Sequence, residues 1–248
     1  MELIEKKCIL CGHCYAICPA GAITVPGYPS KESLNRNDVP NSLEKLLTMR
    51  RSIRHYKNQS VPRDLLDRII DTVIHSPTGT NSRKTGITIL DDRKKIVELS
   101  DIIMTHFRTL TKILLNPATY PILLLFLGKE KTRKIFAYKR LIPKYFSGKD
   151  ILTHDAPVLM LFHSSKKAST PEQDALIWAT SAMLLAESHG LGTCFNGFLV
   201  LGLRSCAKAR KYIGLPRGRQ IYETFTAGFP LYRYKRPVPR EREYITYI

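Results

Sequence analysis

Apolar residues recur along the chain at two spacings, and each spacing names an element. Leu65, Leu66, Ile69, Ile70, Val73 and Ile74 fall at helical spacing behind Pro62, a residue suited to a first helical turn. Just upstream, Ser42 caps a shorter expected helix with Leu43, Leu46 and Leu47 on one face and Arg50 to Arg54 at its C-terminal end. Residues 92–108 again have helical spacing, whereas residues 85–90 alternate β-branched apolar residues and read as a strand. Residues 157–162 (PVLMLF) run without a polar break, the pattern of a central strand buried on both faces.

Thr170, Pro171 and Gln173 spell a helix start, with a hydroxyl cap, proline in the first turn and glutamine at the capping-box position. That helix runs through Trp178 and Met183, both read as packing residues, to His189, and Gly190 suits its C-terminal cap. A short strand begins at Thr193. Cys206 falls in an amphipathic helix ending near Gly214, and residues 221–229 alternate as the last core strand.

Between these elements the polar stretches divide the chain. Residues 26–41 are rich in Pro, Asn and Ser. The expected organisation is a small cysteine-bearing segment over residues 1–30, a linker over 31–41 and one larger domain over 42–248. Residues 110–148 form an apolar and basic insert, read either as a lid over a pocket or as plain packing helix. Its unbroken apolar run, residues 122–127, is far short of the roughly 20 residues a membrane span needs.

Composition narrows the class. A chain of 248 residues with 44% hydrophobic content can bury one large core or one core plus a small module, and disorder is not expected. The formal charge of +18 favours anionic partners through long-range attraction. The basic residues are spread along the chain and no nucleic-acid motif accompanies them, so the charge reads as a partner or solubility property. The first seven residues lead straight into cysteines without a signal-peptide pattern. Four of the six cysteines are crowded together, which suits a reducing, cytoplasmic setting and metal ligation.

Those four are Cys8, Cys11, Cys14 and Cys18, followed by Pro19. The spacing C-x2-C-x2-C-x3-C-P is the bacterial ferredoxin run for a 4Fe-4S cluster. Gly12 permits the tight turn, and residues 20–25 read as the short strand after the loop. Zinc sites more often pair two separated knuckles. In two-cluster ferredoxins the fourth cysteine of each run serves the other cluster, yet this chain holds one run. A late-started chain, a single cluster closed by Cys18 or an external ligand, and a degenerate module are the three accounts.

The densest chemistry lies between residues 50 and 82. Arg50, Arg51 and Arg54 surround the hydroxyl of Ser52, and guanidinium forks beside a hydroxyl make a phosphate clamp. The loop from Ser76 to Ser82, with Thr78, Gly79, Thr80 and Asn81, lets backbone approach a flat polar ligand. On charge pattern alone a solvated basic surface is an equal alternative.

The Arg-Arg-Ser-x-Arg box, the amphipathic helix and the Pro-Thr-Gly-x-Asn-Ser loop together resemble the FMN-dependent nitroreductase family. The likeness continues in the glycine-bounded stretch 190–197 and the basic, proline-rich C-terminus, covering roughly residues 42–248. It implies an α+β fold with a mixed, mainly antiparallel sheet flanked by helices, preceded by a small ferredoxin-like segment. It also implies a homodimer carrying FMN at each subunit interface.

By the same resemblance Arg50, Arg51, Ser52 and Arg54 hold the phosphate, with Arg240 or Arg236 closing over it. Thr78, Gly79 and Asn81 contact the ring or ribityl chain, and Cys194, Phe195, Asn196 and Gly197 line its reactive edge. Cys194 lacks an indicated histidine partner and reads as a small buried residue. No catalytic side chain is named. The family's asparagine loop usually continues into glutamine, but here Arg83 and Lys84 follow Ser82, adding positive charge that favours reduced, anionic flavin.

The implied activity passes hydride or electrons from NAD(P)H or a ferredoxin-type donor to a nitroaromatic, quinone or related conjugated small molecule. A non-catalytic iron–sulfur/flavin electron carrier serving a partner protein is the second reading. A metal-sensing or nucleic-acid-binding protein ranks below both.

Overall fold

The computed structural model describes residues 13–24, 43–119, 125 and 139–248. Its centre is a four-stranded antiparallel sheet in the order β1-β2-β4-β3, formed by Thr85–Leu90 (β1), Val158–Ser165 (β2), Gly192–Phe195 (β3) and Arg219–Gly228 (β4). Thr85 stands opposite Ser164, Val158 opposite Ala227, and Gly192 opposite Gly228. Strand pairing is thus antiparallel, and among the described residues a parallel contact enters where Ser52 bridges to Thr193.

The continuous apolar run of β2 is explained by two cores, one on each face. Val158, Met160 and Phe162 pack with Leu66, Ile69 and Val73 of Arg63–Val73 (α3) and with Ala175, Ala179 and Ala182 of Pro171–Ser188 (α6). Leu159 and Leu161 point the other way. They meet Ile96, Leu99 and Ile103 of Arg93–Leu114 (α4) and Leu199 and Leu203 of Gly197–Ser205 (α7). Alternation along a strand sends successive side chains to opposite faces, so a strand sandwiched by helices has no polar side. Trp178 and Met183 lie in the first core, as expected of packing residues.

Shorter helices are His13–Ile17 (α1), Leu43–Met49 (α2), Ile142–Phe146 (α5) and Ala207–Tyr212 (α8), with a 3-10 turn at Gly79–Asn81. The α4 helix outruns its expected end by six residues, because Phe107 and Thr111 keep the buried stripe in phase. Pro117, just beyond, is compatible with that stop.

Several expectations are corrected. In α2 the buried residues are Leu46 and Met49, which pack toward Leu184, while Leu43 and Leu47 are exposed. Thr170 makes no capping bond and Gln173 is exposed; the hydroxyl of Thr170 instead donates to Asp174 Oδ1 at 2.9 Å. Residues 21–24 form no strand. Cys206 lies between α7 and α8, buried against the second core. The linker, Cys8, Cys11 and most of the central part of the insert lie outside the described residues. No helix among those described is long and apolar enough to cross a membrane.

Candidate functional site

The arginine box is positioned by three neighbours. Helix α2 ends at Met49, and Arg51 turns back so that Nη1 donates to the carbonyls of Thr48 and Arg50 at 2.7 and 2.6 Å. A cation at a helix C-terminus is favourable; Arg51 therefore closes the helix that presents the box. The chain next runs beside β3, where the Ile53 N–H donates to the Thr193 carbonyl at 2.8 Å. It then reaches the far end of β4, where Lys57 N–H donates to Phe229 O and Leu231 N–H to His55 O.

Two polar groups, one half-buried and one buried, fasten this path. Tyr56 donates its hydroxyl proton to Ile53 O at 2.7 Å and lies 2.8 Å from Thr226 Oγ1. Burial drives its pKa well above the ordinary phenol value, so Tyr56 stays protonated. Glu187, buried at the end of α6, accepts from Thr193 N–H at 3.2 Å. Gly192 must lack a side chain here, since a Cβ would stand 2.4 Å from Ile53 Cγ1.

Cys194 is where the box converges. Burial raises its thiol pKa, while Arg54, the Ser52 hydroxyl and Arg50 oppose that rise. A buried thiol held protonated is a poor nucleophile, in keeping with its reading as a small buried residue. Phe195 faces the opposite way and meets Phe225 edge-on at 5.9 Å. Asn196 caps α7, its Oδ1 accepting from Leu199 N–H at 3.0 Å, and its Nδ2 donates to Leu152 O. With its side chain so engaged, Asn196 offers a site its position rather than a free amide. Gly197, exposed, opens α7, where the first N–H groups of any helix lack intrahelical partners.

A further loop reaches this place that the sequence reading did not single out. Asp150 accepts from the backbone N–H groups of Leu152, Thr153 and Asp155 and from the Thr153 hydroxyl. Burial pushes its pKa up, but these bonds outweigh burial and hold the carboxyl below the usual range. The fold of this loop brings His154 near Arg54, with φ at +56°. Burial first, then the Arg54 charge, lowers the His154 pKa and keeps it neutral. The Asp150–Thr153 spacing is a local turn signal, but nothing local announces that Arg54 is its neighbour.

The second group of predicted residues lies elsewhere. Thr78 Oγ1 accepts from Arg83 N–H at 3.0 Å, and Gly79 N–H donates to Asp174 Oδ1 at 2.8 Å. Thr80, Asn81 and Arg83 adopt left-handed φ values, and Arg83 Nε donates to the exposed Asn81 Oδ1 at 3.3 Å. This loop is moored to Asp174 near the start of α6, whereas the arginine box is moored through Glu187 near its end. Along the helix those anchors stand about 20 Å apart. One chain therefore separates the arginine box from the 78–83 loop.

The C-terminal basic residues divide as well. Arg236 Nη1 donates to Cys18 O at 2.5 Å, placing that guanidinium on the N-terminal segment, while Arg240 is exposed. Cys14 and Cys18 are free thiols, and Cys18 Sγ accepts from Ala22 N–H at 3.2 Å. That amide is the largest influence on the Cys18 thiol and lowers its pKa, which suits a thiolate donor. Among the described residues no three metal-ligating side chains come together.

Comparison with known proteins decides the family. The model of the Nitroreductase family matches residues 47–229, most of the chain. The chain belongs to the nitroreductase family. A 4Fe-4S binding domain model matches residues 1–24 of this nitroreductase-family chain.

Among solved structures it is similar to a nitroreductase with bound FMN from Bacteroides fragilis NCTC 9343, at 19% identity and TM-score 0.62, covering 84% of this chain and 99% of that one. A nitroreductase with bound FMN from Desulfitobacterium hafniense DCB-2 matches at 19% identity and TM-score 0.62, covering 87% and 99%. The FMN and NADPH-dependent nitroreductase NfnB from Sphigopyxis sp. strain HMH matches at 22% identity and TM-score 0.57, covering 84% and 99%. These likenesses establish the fold. No curated protein sequence matches the chain.

Proposed function

We propose that the protein is an FMN-dependent oxidoreductase that works as a homodimer, each flavin being held between two chains. The observation that carries this is Arg50: its Nε is buried and has no hydrogen-bond partner among the described residues. A buried donor left unpaired is costly, and an anionic phosphate at the box relieves it. Ser52 and Arg54 converge with Arg50 on Cys194, which fits the same ligand, with the exposed Arg240 available to close over it. The loop holding Thr78, Gly79 and Asn81 is about 20 Å away along α6, so the ring contacts come from the partner chain. The exposed apolar residues Tyr244, Ile245, Tyr247 and Ile248 form an arm suited to crossing between the two chains.

Bound FMN supplies the exchange of hydride or electrons with the acceptor. The chain's own residues bind and orient. Arg50, Ser52 and Arg54 fix the phosphate end, while Cys194 shapes the floor through β3 and Phe195, on the other side of that strand, packs it against Phe225. Gly197 presents backbone N–H groups at the start of α7. His154 stays neutral beside the box and adds no further positive charge there. Arg83 brings a cation to the ring-side loop and favours an anionic reduced ring.

NAD(P)H or a ferredoxin-type protein is the donor and a nitroaromatic, quinone or related conjugated molecule the acceptor. The cysteines fit a 4Fe-4S cluster, Cys14 and Cys18 lying free with a backbone amide already aimed at one sulfur. Residues 1–30 form that segment, 31–41 link it, and 42–248 form the flavin domain. Free thiols throughout the described cysteines suit a reducing cytoplasm.

The test is anaerobic purification followed by flavin and iron determination and turnover with a nitroaromatic and a quinone. One FMN per chain with multiple turnovers supports the reading. Stoichiometric reduction without turnover favours the electron carrier instead. No FMN after the cofactor is added back contradicts both.

A further inference from the structure

The C-terminal run touches both the cysteine loop and the arginine box. Lys235 N–H donates to the Ala16 carbonyl at 2.9 Å, and Arg236 Nη1 donates to the Cys18 carbonyl at 2.5 Å. Gly21, at φ +64°, lies under the same guanidinium, and a Cβ built there would meet Arg236 Nη2 at 2.7 Å. Ala16 and Tyr15 are buried. A few residues earlier in the same run, Tyr232 and Tyr234 line a small recess with Ile53, Arg54 and His55.

We propose that Arg236 joins the cluster-binding loop to the flavin domain and, as a fixed positive charge on the carbonyl of a cluster ligand, raises the cluster's reduction potential. The proposal rests on the cluster reading above. Reduction adds one electron to the cluster, so the reduced form carries one more negative charge than the oxidised form. Cluster potentials follow net charge, hydrogen bonds to sulfur and solvent exposure. A guanidinium keeps its charge at any working pH and stabilises the more negative form. The Ala22 N–H on Cys18 Sγ acts in the same direction, and the arginine clamps the turn that aims it. Arg236 is thus a positioning residue for the cluster loop.

The experiment compares the anaerobically purified full chain with Arg236→Gln and Arg236→Lys. The cluster is titrated with dithionite while its EPR signal is followed, and FMN per chain is measured in the same samples. Arg236→Gln is expected to lower the reduced-to-oxidised ratio at a fixed potential at least tenfold, about 59 mV for one electron. Arg236→Lys, which keeps the charge without the fork, recovers part of that shift. Amide exchange at Gly21 and Ala22 rises in the Gln variant. If Arg236→Gln loses its iron, Gly21→Ala, which displaces the guanidinium from Cys18, is expected to show the same lowered potential.

An unchanged potential in a variant that keeps its iron overturns the proposal. Loss of FMN with the potential unchanged also overturns it and returns Arg236 to the flavin phosphate. Wild-type protein with FMN and no iron overturns the proposal while the flavin reading stands. Protein with neither overturns both.

Discussion

Gly192→Ala tests how tightly the arginine box depends on β3. The new Cβ would lie 2.4 Å from Ile53 Cγ1, 2.8 Å from its Cβ and 2.9 Å from its Cγ2. Real carbon atoms do not approach so closely, and Ile53 is 7% exposed with nowhere to turn. Relief comes by moving the 52–56 segment off β3, which strains the Ile53 N–H bond to Thr193 O. Overpacking of this kind costs about 1–3 kcal/mol, and a lost backbone bond adds about 1 kcal/mol. For a domain of this size the melting temperature falls on the order of 10 °C.

Ser52 and Arg54 ride on the displaced segment, so FMN affinity falls about tenfold for each 1.4 kcal/mol of lost contact. The assay is scanning calorimetry with and without FMN, together with flavin fluorescence titration. The companion variant Ile53→Ala opens space opposite Gly192. In the double variant the two penalties are less than additive, by about 0.5–3 kcal/mol. A Gly192→Ala protein that melts and binds FMN like the wild type refutes the reasoning, and so does strict additivity.

Three further outcomes follow from the same geometry. Tyr56→Phe leaves the Ile53 carbonyl and the Thr226 hydroxyl short of a partner. It should cost about 1–3 kcal/mol in a urea midpoint, and an unchanged midpoint would contradict the fastening role. Burial, followed by Arg219, lowers the His163 pKa from 6.5 to about 4, and Arg219 Nε donates to its Nδ1 at 2.7 Å. Because the folded value lies below the unfolded one, its contribution is present above pH 6.5 and is lost as pH falls toward 4. The stability difference between wild type and His163→Gln should narrow or change sign across that window, and a pH-independent difference would count against it. Asp174→Ala removes the acceptor for Gly79 N–H and the Thr170 hydroxyl. It should loosen the 78–83 loop and weaken FMN binding several-fold while the box stays intact; unchanged FMN affinity would detach that loop from the site.

Much of the fold could be read from periodicity. The β1 strand matched its expected span because Thr85 to Leu90 alternate in a half-buried setting. The α6 helix did so because a proline-led start and a glycine at 190 bound one apolar-rich segment. The start of α6 was legible in position but not in chemistry, since Asp174 rather than Gln173 engages the Thr170 hydroxyl. In α2 the spacing puts three leucines on one face, yet burial by α6 selects Leu46 and Met49. Tertiary contact decides such a face, and its partner lies well over a hundred residues away.

The candidate site was legible as motifs and illegible as an arrangement. Arg50, Ser52 and Arg54 announce themselves by proximity in the chain, and Asn196 and Gly197 by a loop before a helix. Tyr56 and His154 do not, because their roles depend on long-range neighbours, Thr226 and Arg54. The placement of the arginine box and the 78–83 loop at opposite ends of α6 is likewise a property of the folded chain. So is the attachment of Arg236 to the cysteine loop, which local sequence shows only as one more basic residue in a basic tail.

The proposed site divides one flavin between the arginine box of one chain and the asparagine loop of another. Sedimentation velocity of the FMN-loaded protein, recorded at a flavin wavelength, tests it most directly. Flavin absorbance is expected to travel with a species of twice the chain's mass and to disappear from it when Arg50 is replaced by Ala. Flavin absorbance sedimenting with single chains, or remaining entirely with free FMN, would contradict it.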